Sequence, residues 1–216
     1  MKKCPVPLTD ATIPLGRKNR PGETIIPQYI TIHDTGNPNP RADAEAHAKY
    51  LKGDDTASIP VSWHFTVDDR GAYQHLPLNE HGWHAGDSRG PGNMESIGIE
   101  ICENLDGDRQ KAEENAAALV AWLLTSLGLD VSAVVPHKHW SPGTECPHIL
   151  LTKWEQWIDR VRVFKEAHER AEWDPEAEIA LLKRDGLIDS DHAPQDHVTW
   201  GEFATVINRL RHVKIQ

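Results

Sequence analysis

A chain of 216 residues, 38% of them hydrophobic, can bury one substantial core with room for a small second module. Its formal charge of −10 argues against nucleic acid as a partner, which wants a basic footprint. No apolar run approaches the roughly 18 residues of a membrane span, and the opening MKKCPVPLTDATIPLGRK lacks an apolar stretch of signal-peptide length. The expectation is a soluble protein without membrane insertion, made in the cytoplasm.

Strand signals fill the first hundred residues. YITIHDT (29–35), VSWHFTVDD (61–69), AYQHLPL (72–78) and SIGIEIC (96–102) are short, β-branched or aromatic, and bounded by Gly, Pro, Asn or Asp. Helical patterns lie between and after them. PRADAEAHAKYLKG (40–53) opens on Asn39-Pro40 as cap and first turn and closes on Gly53, and RQKAEENAAALVAWLLTSLG (109–128) is rich in Ala and Leu. ILLTKWEQWIDRVRVFKEAHERA (149–171) repeats Leu150, Trp154, Trp157, Ile158 and Val161 at helical spacing, with the Trp pair read as core packing. Strands interleaved with helices predict an α/β domain, a mixed central β-sheet flanked by helices, over residues 1–168. After Trp173 the pattern changes to helix, Gly turn, polar loop and a second helix capped by Thr199, with Phe203, Val206, Ile207 and Leu210 on one face. Residues 173–216 therefore form a second, two-helix module.

Three cysteines, Cys4, Cys102 and Cys146, are too few and too scattered for a disulfide framework, which favours a reducing origin or a metal role for one of them. Strand alternation puts Tyr29, Thr31 and His33 on one face of their strand, with His33 late in it. In SIGIEIC the isoleucines share one face, and Gly98, Glu100 and Cys102 the other. A carboxylate in a core strand needs either a cationic partner or a function such as general base catalysis. HKHWSPGTECPH, residues 137–148, packs three histidines and a cysteine into twelve residues, and its Pro/Gly loop can turn a His and the Cys toward one ion. On an extended chain His137 and His139 point the same way, so spacing alone leaves open which is the ligand. His64 reads as a structural hydrogen-bonding residue, and His47, His148 and His168 as solvated.

TIHDT, the segment SWHFTVDDRGAYQHLPLNEHGWHAGDSRGPGNMESIGIEIC and PHKHWSPGTECPHIL resemble, in order and spacing, the zinc-dependent N-acetylmuramoyl-L-alanine amidases of phage endolysins and Bacillus autolysins, relatives of the animal peptidoglycan-recognition proteins. The likeness covers roughly residues 25 to 160. It implies one zinc ion per chain, held by His33, by His137 through the H-x-x-W pattern ending at Trp140, and by Cys146 before Pro147. Some members carry a Tyr in the strand where this chain has Trp63, and others a Glu in the strand matching SIGIEI, so Glu100 inherits the base role. Two residues before the cysteine the family has Lys or Thr, which falls on Thr144 as an oxyanion donor. Trp63, Trp83 and His84 are the implied substrate contacts.

The activity so implied is hydrolysis of the amide between N-acetylmuramic acid and L-alanine in peptidoglycan by a phage or prophage endolysin, acting on the cell wall after release. The alternatives are a peptidoglycan-binding protein without activity and a cytoplasmic amidase that recycles wall fragments. The tail is similar to one S-layer-homology-type repeat, which implies wall binding or dimerisation through that module.

Overall fold

The computed structural model describes residues 3–172, 175–190 and 192–212. Trp173 and Asp174, where the second module was expected to begin, lie outside the described residues, as does the end of the chain from Val213. The chain divides into two compact units, residues 1–168 and 169–216.

The first unit is built on a six-stranded mixed sheet among the described residues. Its strands are β1 (Leu8–Asp10), β2 (Tyr29–Asp34), β3 (Phe65–Val67), β4 (Ala72–Gln74), β5 (Ser96–Ile101) and β6 (Val134–Pro136), in the order β1-β4-β3-β5-β2-β6. β3 runs antiparallel to β4, and the other pairings are parallel. β1 and β6 escape a sequence reading because three residues show no alternation long enough to recognise.

The helices are α1 (Ala44–Lys52), α2 (Asp54–Ala57), α3 (Pro91–Met94), α4 (Arg109–Leu127) and α5 (Trp154–Glu172). α1 starts four residues later than the Asn39-Pro40 signal predicts. Arg41 takes a positive φ of 67° that no helix tolerates, and Asp43 is the actual cap, accepting from the Ala46 amide at 2.9 Å. α5 likewise begins after a 3₁₀ turn over Leu150–Lys153.

Alternation along the strands divides the sheet into two chemically different faces. Ile30, Ile32, Phe65, Val67, Ile97, Ile99, Ile101 and Val134 join Ala116, Leu119, Val120 and Leu123 of α4 and Trp157, Ile158 and Val161 of α5 in the main core. Each fully buried side chain of this size contributes about 1.5–3 kcal/mol. The Trp157 indole also donates to the Glu113 carbonyl at 3.0 Å, fixing α5 against α4. The other face carries Thr31, His33, Thr66, Gly98 and Glu100, and the register puts His33 and Thr66 on either side of Glu100. A smaller cluster of Ile13, Leu51, Trp63 and Leu76 lies under α1 on that side.

The second unit contains α6 (Pro175–Arg184) and α7 (Trp200–His212). α6 ends in a turn where Gly186 takes φ +70°, a conformation that favours glycine, and the Leu187 amide returns to the Leu182 carbonyl at 2.8 Å. Thr199 caps α7 through a reciprocal box: the Thr199 amide donates to Glu202 Oε2 at 2.8 Å, and the Glu202 amide to Thr199 Oγ1 at 3.2 Å.

Candidate metal centre and groove

Three chain segments meet at the C-terminal end of β2. His33 is its fifth residue, paired in register with Glu100 of β5. β6 pairs Pro136 with Ile32, so the next residue, His137, arrives beside His33, and their rings lie 4.5 Å apart. Immediately afterwards the chain turns into a 3₁₀ segment, His137–His139, which takes His139 off that line and leaves it exposed against Trp140. The two-residue alternation that would have aligned His139 with His137 ends where the strand ends. The loop then returns, the Lys138 amide donating to the Cys146 carbonyl at 3.0 Å, and Trp140 anchors it by donating to Thr31 Oγ1 at 2.9 Å.

His33, His137 and Cys146 each offer one ligand atom, and these atoms lie within 4.8 Å of one another. Cys146 Sγ is 3.8 Å from His33 Nδ1, and Glu100 Oε1 is 3.9 Å from the same nitrogen. The Nε2 of His137 donates to the Ala85 carbonyl at 3.0 Å, leaving Nδ1 as its free lone pair. Burial, with His84 and His137 nearby, holds His33 well below the ordinary histidine range, and burial lowers His137 as well. Both rings are therefore neutral at pH 7, the form that ligates metal. The Cys146 thiol is pushed up to about 12 by burial and by Glu100, Asp34 and Glu103. Two neutral imidazoles, one thiol and an adjacent carboxylate make a donor set suited to zinc with a position left open.

Glu100 is raised well above the ordinary carboxylate range, first by burial and then by Asp34 and Glu103. Its Oε2 is buried without a hydrogen-bond partner. It opens onto a groove of about 380 Å³ lined also by Thr35, Asn37, His47, Tyr50, Val61 and Trp63. Trp63, largely buried, donates through its indole to Thr66 Oγ1 at 2.7 Å and lines the groove. Thr144 is half-buried two residues before Cys146, its amide held by the Ser141 carbonyl at 2.9 Å. Trp83 and His84 are not among the groove-lining residues. Trp83 packs edge-on against His81, and the His84 ring meets His33, Nδ1 to Nε2, at 3.1 Å.

Several residues have roles that the sequence reading missed or misjudged. His47, expected in solvent, lines the groove, its Nδ1 held at 2.8 Å from the Asp43 carbonyl. His148 is exposed, as expected, and from the surface it also reaches Glu103 at 3.2 Å and Asp34 at 3.6 Å. Asp34 has a fully buried side chain that pairs with Arg109 and accepts from the Ile149 amide at 2.7 Å, tying the segment after Cys146 to the end of β2. Its one visible signal is its place directly after His33. His64 uses both ring nitrogens on main chain, accepting from the Gly98 amide at 3.0 Å and bonding the Glu80 carbonyl at 2.8 Å, which is the structural role its sequence context predicts.

Residues 21–149 match the family model described as N-acetylmuramoyl-L-alanine amidase. Among curated relatives, the N-acetylmuramoyl-L-alanine amidase XlyA of Bacillus subtilis is 57% identical over 143 residues, 66% of this chain and 47% of the relative. CwlH of the same organism is 51% identical over 150 residues, 69% of this chain and 58% of the relative. The chain thus spans about half the length of these curated relatives. The solved catalytic domain of XlyA superposes with a TM-score of 0.69 at 52% identity, covering 72% of this chain and 99% of that domain. PlyL gives a TM-score of 0.62 at 34% identity, covering 72% of this chain and 96% of PlyL. By the extent of the family match, and with the same mixed sheet and flanking helices as these domains, the chain belongs to the N-acetylmuramoyl-L-alanine amidase family.

Proposed function

We propose that the chain hydrolyses the amide between N-acetylmuramic acid and L-alanine in peptidoglycan, as a phage or prophage endolysin, with zinc held by His33, His137 and Cys146. One observation carries this reading: three soft or borderline donors converge within 4.8 Å beside a buried carboxyl that opens onto a groove. Membership of the amidase family supports the same chemistry.

Bound there, zinc supplies Lewis acidity to the scissile carbonyl and to the attacking water. Glu100 takes the proton of that water on its unpartnered Oε2 and passes it to the leaving amine. Burial raises its affinity for protons above that of an ordinary carboxylate, which favours taking the proton of the water. Trp63 and His47 wall the groove on which the glycan and stem peptide lie, and Thr144 donates to the oxyanion. The second unit serves as a wall-binding or self-associating module, and the protein works on the wall after release from the cytoplasm.

Purified protein should carry about one zinc ion per chain. Digestion of purified walls should release new N-terminal alanine without new reducing sugar. Each of His33→Ala, His137→Ala and Cys146→Ser should lose metal and turnover together, because an incomplete ligand set cannot hold the ion. His139→Ala should keep both. Retention of full zinc by the His137 variant and its loss by the His139 variant would overturn the ligand assignment.

A further inference from the structure

The geometry points to His84 as a positioning residue that fixes the ligating face of His33. This rests on the zinc reading above and concerns a residue outside the groove lining that meets the ligand set through the ring of His33. The His33 Nε2 and His84 Nδ1 lie 3.1 Å apart, with the rings perpendicular. Two neutral imidazoles at that distance share one proton, so one nitrogen donates and the other accepts. His33 Nδ1 is the nitrogen that faces Cys146 and Glu100. For it to hold a free lone pair, the His33 proton must sit on Nε2 and donate to His84 Nδ1.

The segment carrying His84 is built to hold it. The His84 and Ala85 amides both donate to Asn93 Oδ1 at 2.8 Å, and Asn93 Nδ2 returns to the Ser88 carbonyl at 2.8 Å. The next residue, Ala85, offers its carbonyl to His137 Nε2 at 3.0 Å and to Ser141 Oγ at 2.9 Å. Two consecutive residues thus occupy the Nε2 of both histidine ligands, one through a side chain and one through the main chain. The His84 ring lies so close to β5 that a Cβ on Gly98 would meet it at 2.6 to 2.8 Å. With Nδ1 accepting, the remaining proton is on His84 Nε2, a buried atom outside strict hydrogen-bond geometry but within electrostatic reach of the Ser96 main chain.

The test uses the full chain with ¹⁵N-labelled histidine and zinc titrated against a chromophoric chelator. Wild type should show His33 as the Nε2–H tautomer with and without zinc. His84→Leu keeps the volume and removes the acceptor, and should weaken zinc binding by about 10- to 100-fold, the range for a lost partner behind a ligand. His84→Asn places an amide oxygen near the position of Nδ1 and should restore most of that loss. Unchanged zinc affinity in His84→Leu overturns the proposal, as does equal weakening in both variants, which marks plain packing. Should the Leu variant not fold, finding His33 as Nδ1–H in zinc-free wild type overturns it alone. Wild type that binds no zinc while showing the Nε2–H tautomer instead sinks the metal reading.

Discussion

Glu100 is held in a costly state. A carboxyl that is buried, lacks a partner on Oε2 and lies near Asp34 and Glu103 resists ionisation in the folded chain and not in the unfolded one. Its folded pKa is raised, so it disfavours the native state increasingly as pH climbs above the ordinary glutamate value of about 4.5. Glu100→Gln removes the ionisation. The metal-free variant should therefore melt higher than wild type at pH 8, with the gap narrowing toward pH 5. The same variant should retain zinc and lose roughly 100- to 10,000-fold in turnover, the worth of a positioned acid/base. A lower melting point at pH 8 would show that Glu100 has an unrecognised stabilising partner, and near-normal turnover would remove it from the reaction. Thr144→Ala should cost less, since water can replace a neutral hydroxyl. Strand alternation marked His33 and Glu100 as polar residues on the non-core face of strands whose other face is isoleucine, while the roles expected of them came from the family resemblance. Alternation could not separate His137 from His139, since the turn at the end of β6 follows its pairing with β2, a strand distant in sequence.

At the scale of elements, what joins strand ends into a site is a buried ionic knot. Arg109, at the start of α4, reaches Asp34 and also donates to the carbonyls of Ile101 and Cys102 at 3.1 Å and to Glu113 at 2.9 Å. One side chain thereby ties the ends of β2 and β5 to the helix that covers them. Asp34 passes the constraint on by holding the Ile149 amide at 2.7 Å, three residues after Cys146. Asp34→Ala should destabilise the zinc-free protein by about 3 kcal/mol, the low end for a broken buried pair, because Arg109 keeps its other acceptors. Denaturant unfolding measures this. Zinc affinity should fall as well, since the segment bearing Cys146 is freed at one end. A loss below about 1 kcal/mol would mean that the knot follows from the fold and does not hold it. None of this was readable from the sequence. β2, α4 and the Cys146 segment are far apart along the chain, and neither Arg109 nor Asp34 breaks a local pattern. The helices were readable to within a few residues, except where Arg41 and the 3₁₀ turn at Leu150 displaced a start.

For the whole molecule, the question is what residues 169–216 add to a domain that already contains a complete candidate site. Among the described residues, the ligand candidates and groove residues of that site all lie at or before Cys146, so on the proposed function the first unit should suffice for a small soluble muropeptide. Within that unit Val198, Trp200, Phe203 and Leu210 are 70%, 85%, 50% and 46% exposed, more apolar surface than two helices of a free-standing unit usually leave to water. Beside them, Ile179, Leu182, Ile188 and Val206 line a cavity of about 390 Å³. An apolar face of this kind suits contact with a wall polymer or with another copy of the chain, and truncation separates the two. A chain ending near Ala171 should keep its zinc and its rate on solubilised muropeptide, and should lyse intact cells or pelletable walls more slowly. If the module binds walls, full-length protein should pellet with them and the truncated chain should stay in the supernatant. If it self-associates, sedimentation should report a dimer that becomes a monomer on truncation, with lysis slowed through lost avidity. Equal pelleting, equal lysis and an unchanged molecular mass in both chains would remove either role. A drop in muropeptide turnover on truncation would mean that the second unit supports the catalytic one directly.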